Sequence, residues 1–145
     1  MVYIGIDTGV NTGVAVWDAK QQSLILVKTM KIHQAMEIVR GWASMEKTGG
    51  DKIFVRVEDP RQRKWFQTMD REKERHKLQN VGSVKRDASV WDDFLKDLGV
   101  SYEMVAPKNN VTKLSAVAFK SLTGWEHQTN EHNRDASMLV FGYQE

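Results

Sequence analysis

The sequence predicts an α/β domain in which a five-stranded mixed sheet carries helices on both faces, in the element order βββαβαβαα. Two patterns support this fold class. The first thirty residues contain three short apolar runs separated by turn residues, as in an antiparallel meander. From residue 32 onwards, segments with a helical repeat of apolar residues alternate with short runs rich in Val and Ile, as in a sheet with crossover helices.

The bulk composition limits the classes of protein to consider. A chain of 145 residues suits a single domain spanning 1–145. No apolar run approaches the roughly 20 residues that cross a bilayer, and no leader pattern opens the chain, so we expect a cytoplasmic protein without membrane association. With no cysteine, a metal would be held by carboxylates and imidazoles, which favours Mg²⁺ or Mn²⁺. We expect no small-molecule cofactor.

The first half of the chain divides into four strands and one helix. Residues 2–7, 13–17 and 23–29 are predicted strands, because apolar residues alternate or run together between turns. From Ile32 the apolar residues recur at steps of three and four, which predicts a helix that ends before Gly49. Residues 53–58 form the fourth predicted strand, which ends at Pro60.

The second half is predicted to contain three helices and one strand. We interpret residues 61–80 as a long loop with at most a short helix, followed by a helix that Ser83 caps and Gly99 ends. Residues 100–106 are the fifth predicted strand. The next helix is predicted over 112–122, and a last helix begins at the cap Asn130. The predicted inward face of the 112–122 helix consists of Leu114, Val117, Ala118 and Leu122.

Acidic residues occupy the ends of distant elements. Asp7 ends the first strand, Glu58 ends the fourth, and Asp135 lies three residues after His132 on one face of the last helix. If the first and fourth strands are neighbours and the last helix crosses them, these side chains converge. Like charges so close need compensation by divalent cations, and two ions about 4 Å apart promote phosphodiester cleavage.

Each of these acids also has a structural interpretation. Asp7 can organise the following turn through its side chain, Glu58 can form a surface ion pair with Arg56, and the acids of the last helix can stabilise its N-terminus. The sequence leaves these alternatives open.

Basic residues are concentrated between residues 61 and 86. This segment holds nine Lys or Arg and three acids, whereas the whole chain has a net charge of only +2. A local excess of positive charge is typical of a surface that binds a phosphate backbone.

Three segments together resemble the RuvC-like resolvases of the RNase H-like superfamily: residues 4–16 (IGIDTGVNTGVAV), 55–58 (VRVE) and 132–136 (HNRDA). The resemblance implies that Asp7, Glu58 and Asp135 are metal ligands for about two Mg²⁺ or Mn²⁺ ions. It implies that His132 is a fourth ligand or a general acid/base. Lys113, at the start of the predicted third helix, would lie near the scissile phosphate.

The same resemblance implies a homodimer that cuts symmetric strands of branched DNA, a Holliday junction. Relatives place DNA-facing loops and a dimer helix in the region of residues 60–82. Trp65 and Phe66 are candidates for stacking on a base, although a core contact is an alternative for either. The predicted DNA-binding cations are Arg61, Arg63, Lys64, Lys85 and Arg86.

Other functions share parts of this pattern. The turn over residues 7–13 is also typical of actin-like kinases, which need two such domains, and the Asp-Thr-Gly sequence of residues 7–9 occurs in the almost wholly β aspartic proteases. A nuclease that cuts RNA–DNA hybrids or flaps, or a non-catalytic relative that binds nucleic acid, would use the same fold.

Overall fold

The computed structural model describes residues 1–62 and 71–145, and only the backbone of residues 71–81. Its element order is the predicted one, with two short 3₁₀ turns added after β4 and β5. The elements are β1 (Val2–Asp7), β2 (Asn11–Asp18), β3 (Ser23–Lys31), α1 (Ile32–Lys47), β4 (Ile53–Glu58), α2 (Arg71–Leu98), β5 (Ser101–Val105), α3 (Ala116–Thr123) and α4 (Glu131–Met138).

The five strands form one mixed sheet in the order β3-β2-β1-β4-β5. The first three strands are antiparallel to each other, whereas β4 runs parallel to β1 and β5 runs parallel to β4. In the β1–β4 register, Asp7 lies opposite Glu58. The carboxyl ends of β1 and β4 therefore meet at the same edge of the sheet, with an acid at the end of each.

Helices cover both faces of the sheet, as the sequence predicts. On one face, Val39 of α1 and Trp91 and Leu95 of α2 join the fully buried Ile4 and Val55 in the larger core. On the other face, Ala136 of α4 and the following Leu139 and Val140 form a smaller core with Ala15 and Trp17. The alternation of side chains along each strand supplies both cores, because every strand residue points to one face or the other.

Two strand glycines let α4 lie directly on the sheet. A Cβ atom at Gly5 would be 2.1 Å from the carbonyl oxygen of Ala136, and one at Gly13 would be 2.1 Å from that of His132. No side chain larger than hydrogen fits at either position while the helix stays where it is. The missing side chains thus fix the height of α4 above β1 and β2, and with it the positions of His132 and Asp135.

Helix α2 begins at Arg71, so the interpretation of residues 61–80 as mainly loop, with a helix capped at Ser83, is wrong for residues 71–80. Residues 71–79 are mostly Arg, Glu, Lys and Gln, which have high intrinsic helix propensity, and they include no Gly or Pro. A polar stretch of this kind shows no apolar repeat, and Gly82 lies inside the helix instead of separating two segments.

Helix α3 begins four residues later than predicted, at Ala116, because the Ser115 side chain accepts a hydrogen bond from the Ala118 N–H and caps the helix there. The predicted inward face is also wrong. The side chains of Val117 and Leu122 are 81% and 52% exposed, and Phe119 is the buried residue of the helix. One large aromatic side chain sets the orientation of this short helix, because its burial outweighs that of several small aliphatic ones.

No helix in the described part of the chain has the length and apolar character required to cross a membrane.

Candidate metal centre

Three elements bring the predicted acids together. Asp7 and Glu58 end the parallel pair β1 and β4 in register, and Asp135 projects from α4, which crosses the same edge. Gly5 and Asp7 lie two residues apart on β1 and therefore point to the face on which α4 packs. The spatial convergence expected from the sequence is therefore present.

The three carboxylates form a compact and largely buried cluster. One oxygen atom from each of Asp7, Glu58 and Asp135 lies within 4.8 Å of the other two. The three residues are only 9%, 6% and 8% exposed, respectively. Because neighbouring anions oppose each other's ionisation, a cation among them would stabilise the cluster. Carboxylate oxygens at this separation are the donors that Mg²⁺ and Mn²⁺ prefer, so the residues present fit such ions.

Asp135 is held by the segment that precedes α3. The backbone N–H of Lys113 donates to Oδ1 of Asp135 at 2.9 Å, and the Asn110 side-chain amide donates to the Asp135 carbonyl at 3.1 Å. Burial raises the pKa of Asp135, and the nearby Glu131 carboxylate adds to the increase, whereas the Lys113 N–H opposes it. The carboxylate is thus oriented by the backbone but destabilised in its charged form.

His132 lies beside Asp7. Its Nδ1 is 3.2 Å from Oδ2 of Asp7, and its side chain is 47% exposed. An N–H on Nδ1 would donate to the carboxylate and leave Nε2 with a lone pair that can bind a cation or accept a proton. The structure therefore places His132 next to the acids, as the resemblance implies.

The structural alternative for Glu58 is wrong. Glu58 is buried, whereas Arg56 pairs with Glu103 at 3.3 Å, donates to the Leu139 carbonyl and lies over the Tyr143 ring, with its guanidinium carbon 4.9 Å from the ring centroid. Arg56 therefore secures the C-terminal end of α4 and does not form a surface pair with Glu58.

Capping of α4 is achieved by residues other than the predicted ligands. The Asn130 side chain accepts from the Asn133 N–H, and the Asn133 side chain accepts from the Asn130 N–H. The predicted cap Asn130 is thereby confirmed. These two reciprocal hydrogen bonds cap the first turn of α4, while His132 and Asp135 face Asp7 and Glu58 at the sheet edge.

A cleft of about 230 Å³ opens over the acids. It is lined by acids, one histidine and one lysine, with two apolar residues in its wall: Asp7, Glu58, Asp135, Glu131, His132, Lys113, Pro60 and Val84.

Lys113 precedes α3 by three residues and has a left-handed backbone with φ of 60°, so its predicted place at the start of that helix is wrong. It borders the cleft from a strained loop.

Arg61 has an intramolecular position that the sequence did not indicate. Its guanidinium donates to Asp59 Oδ1 at 2.8 Å and to Asp92 Oδ2 at 3.2 Å, and it reaches the hydroxyl of Ser89. The hydrogen bond to Asp59, followed by that to Asp92, raises the pKa of Arg61 above its usual range. Burial alone would raise the pKa of Asp59, but hydrogen bonds from Arg61 and Gln62 outweigh burial and lower it. Arg61 thus links the end of β4 to α2.

The other predicted DNA contacts divide into two groups. Lys85 is half-buried and Arg86 is exposed, and both follow the cleft residue Val84 on α2. The remaining four, Arg63, Lys64, Trp65 and Phe66, lie outside the described residues.

Sequence reasoning missed the residues that position the acids. Asn110 orients the Asp135 backbone, and Gly5 and Gly13 admit α4. The signal for the glycines was present, because a glycine inside a strand often marks a close backbone approach. Asn110 carried no comparable signal.

No protein-family model matches the chain, and no curated protein matches it either.

Proposed function

We propose that this chain is a metal-dependent DNA endonuclease with an RNase H-like fold, specifically a RuvC-like Holliday junction resolvase that hydrolyses symmetric strands of a four-way junction. The observation that carries the proposal is the cluster of Asp7, Glu58 and Asp135, whose oxygens lie within 4.8 Å of each other at one edge of the sheet. Three buried acids from three separate elements make up a ligand set that few structural roles require.

The topology supports the fold assignment. An antiparallel β1–β3 meander continues into the parallel pairs β1–β4 and β4–β5, with helices on both faces. This arrangement puts the first acid on the central strand and the second on its parallel neighbour, which is the condition on which the predicted convergence of the acids depends.

Asp7, Glu58 and Asp135 would hold about two Mg²⁺ or Mn²⁺ ions, with His132 as a further ligand or a proton acceptor. Such ions supply Lewis-acid chemistry for phosphodiester hydrolysis. The chain itself orients the acids: the Lys113 N–H fixes Asp135, and the in-register pairing of β1 and β4 fixes the other two.

Two cationic features suit a phosphate backbone in this cleft. The exposed Lys113 side chain borders the acids, where its ammonium group can approach a phosphate oxygen and offset developing negative charge. Lys85 and Arg86 directly follow Val84, a residue of the cleft wall, along α2. A homodimer would present two such clefts to the two equivalent strands of a symmetric junction.

The proposal is tested by incubating the purified protein with a four-way DNA junction, a flap, a linear duplex and an RNA–DNA hybrid, each with Mg²⁺. We expect paired symmetric cuts in the junction, loss of cutting in chelator, and loss with Asp7→Asn. Asp51→Asn removes an equal charge from an exposed loop and is the matched control, which should cut like the wild type. Preferential cutting of the hybrid would replace the proposed substrate, and undiminished cutting in chelator would contradict the metal-dependent mechanism.

A further inference from the structure

A second cavity lies at the end of the sheet opposite to the acids. It has a volume of about 440 Å³ and is bordered by the ends of β2 and α3, the start of β3 and the segment after α4. Trp17 pairs with Tyr3 on β1, four residues before Asp7, so the cavity and the acids are separated by about 13 Å along the strands. None of the residues used in the proposed function lines it.

Aromatic rings form much of its wall. Trp17 and Phe141 pack edge to face with centroids 5.0 Å apart, and the Trp17 indole N–H donates to the Tyr143 carbonyl at 2.9 Å. Trp125 contributes a second indole, which follows the C-terminal end of α3. The Trp125 N–H is buried and lacks a hydrogen-bond partner among the residues that the structure describes. This N–H is enclosed by protein atoms, so a ligand in the cavity would contact the half-buried ring of Trp125 itself.

The frame of the cavity is built from tight turns. Gln22, Gly124 and Gly142 all line it, and all three have left-handed backbones, with φ of 52°, 74° and 84°. The Gln22 side chain donates to the Ala19 and Tyr143 carbonyls and so ties the β2–β3 turn to the segment after α4. A cavity fixed in this way loses little conformational freedom when a ligand enters.

We propose that this cavity binds one unpaired nucleobase of the nucleic acid that is cut at the acidic cleft. A base offers a flat ring for stacking on the half-buried indole of Trp125, whereas Trp17, only 3% exposed, forms the floor behind it. The exposed Lys120, one turn before Thr123 on α3, and Lys20, two residues before Gln22, are available to the phosphates on either side. The proposal rests on the proposed function and adds a substrate preference to it: single-stranded character near the cut.

The separation of the two sites sets which base is bound. At about 3.4 Å per stacked nucleotide, 13 Å along the strands corresponds to a base at least about four positions from the cleaved phosphate, because the cavity is also displaced sideways from β1 towards β3. A fully paired duplex cannot offer that base without unstacking it, whereas a branched substrate has unpaired or easily opened positions close to its branch.

The first test measures binding of fluorescein-labelled oligothymidylate in chelator, so that no cleavage occurs. Trp125→Ala should weaken binding by about 5- to 100-fold, since removing a stacking ring has effects of this size. Trp125→Phe keeps a stacking surface and should remain close to wild type, which also covers the case in which the alanine variant folds poorly. His33→Ala, which removes an exposed ring from α1 on the opposite face of the sheet, is the matched control and should leave binding unchanged.

A second oligonucleotide of equal length and charge, with abasic sites in place of every thymine, separates stacking from general damage. The wild type and Trp125→Ala should bind this abasic strand equally. Equal losses on both strands, or no loss on either, would overturn the base pocket. N-acetyltyrosinamide represents an aromatic side chain of a protein. Quenching of tryptophan fluorescence by this compound but not by thymidine monophosphate would also overturn the base pocket and would indicate a protein partner.

The two proposals fail in distinguishable ways. If Trp125→Ala binds oligothymidylate like the wild type while Asp7→Asn has lost junction cleavage, only the base pocket is refuted. If the thymine-specific loss is observed but no substrate is cut in Mg²⁺, the cavity binds a base in a protein that is not a nuclease, and the link between the two sites is refuted.

Discussion

Asp135 combines burial with close backbone contacts, and both affect how its charge is tolerated. Its pKa is raised, mainly by burial, so the folded state favours the protonated form more than the unfolded chain does. Above that raised pKa the ionised side chain therefore costs stability. Because the Lys113 N–H donates to Oδ1, an amide at this position keeps the same hydrogen bond.

Asp135→Asn is therefore expected to raise the melting temperature in chelator at pH 7 by about 2–4 °C, the shift that about 1 kcal/mol produces in a domain of this size. Added Mg²⁺ or Mn²⁺ should stabilise the wild type, by binding the folded state alone, and should stabilise the variant much less. Thermal melts with and without metal measure both effects. A lower melting temperature of the variant in chelator would show that the carboxylate is stabilising without a cation.

Variants of Lys113 distinguish what its backbone contributes to stability from what its side chain contributes to cleavage. A left-handed backbone costs a non-glycine residue about 1–2 kcal/mol, and glycine adopts it without this penalty. Lys113→Gly should therefore be at least as stable as Lys113→Ala, which keeps the strain. Both variants keep the N–H that holds Asp135 but lose the ammonium group that borders the cleft.

If that ammonium offsets charge on the phosphate, both variants should cut about 100-fold more slowly, whatever their stability. Lys113→Arg keeps the charge and should retain most of the activity. Single-turnover cleavage and thermal melts on the same preparations provide the comparison. Full activity of Lys113→Gly would remove the side chain from the reaction and leave only a backbone role.

At the scale of elements, the two strand glycines determine where α4 can lie. Gly5→Ala and Gly13→Ala each add a Cβ that meets a helix carbonyl at 2.1 Å, and a backbone atom cannot rotate away as a side chain would. The helix must move, at an expected cost of about 1–3 kcal/mol in unfolding free energy for each variant. Metal affinity should fall as well, because His132 and Asp135 move with α4.

Gly41→Ala is the matched control for this prediction. Gly41 lies inside α1, and a Cβ there meets no atom within 4 Å, so alanine should stabilise the helix by about 0.5–1 kcal/mol. Urea denaturation of the three variants compares the two cases. Equal stability of Gly5→Ala and the wild type would mean that the sheet and helix separate easily, and that the close approach does not position the site.

The sequence predicted elements well where burial is periodic and poorly where it is not. The alternation from Val2 to Ile6 places the large aliphatic side chains on the face of α1 and α2, and the helical repeat from Ile32 reflects burial of one helix face, so these boundaries are confirmed within a few residues. The first turns of α2 are charged throughout, and α3 buries Phe119 and leaves Val117 exposed. In α2 the apolar pattern therefore predicts the core-facing side chains of the second half, where Ala88, Trp91 and Leu95 are fully buried, but it gives no sign of the charged first turns; in α3 it predicts the wrong face.

The whole molecule shows why the site was more predictable than its surroundings. Asp7 and Glu58 end neighbouring parallel strands, so the topology alone brings them together. The contacts of Arg56 with Glu103 and of Arg61 with Asp92 join residues 47 and 31 positions apart in the sequence. Which of many possible partners an arginine selects depends on details of packing that a single sequence does not record.

The Arg61 network makes a prediction about the stability of the whole chain in acid. Asp59 is buried, which alone would raise its pKa, but its bonds to Arg61 and Gln62 lower it. A hydrogen bond from the Tyr102 hydroxyl is the main cause that lowers the pKa of Asp92, and Arg61 adds to it. A depressed pKa in the folded state means that each carboxylate contributes stability above its unfolded value of 3.8, and that this contribution disappears as the pH falls further.

Arg61→Ala should therefore lower the unfolding free energy strongly at pH 7, where two ionised acids lose their partner, and progressively less as the pH falls below 3.8 towards the lowered pKa values of Asp59 and Asp92. The pKa of Asp135 is shifted in the opposite direction, so protonation of Asp135 stabilises the folded state while protonation of Asp59 and Asp92 destabilises it. The pH dependence of the wild-type unfolding free energy therefore combines two opposing effects. The difference in unfolding free energy between wild type and Arg61→Ala isolates the contacts of Arg61, because Asp135 is common to both proteins.

Urea denaturation at pH 7, 4 and 3 measures this difference. The control is Arg40→Ala, which breaks the exposed ion pair of Arg40 with Glu37 and should change stability little at any pH. A difference between wild type and Arg61→Ala that stays constant from pH 7 to pH 3 would show that Arg61 acts by packing and not by holding the two charged aspartates.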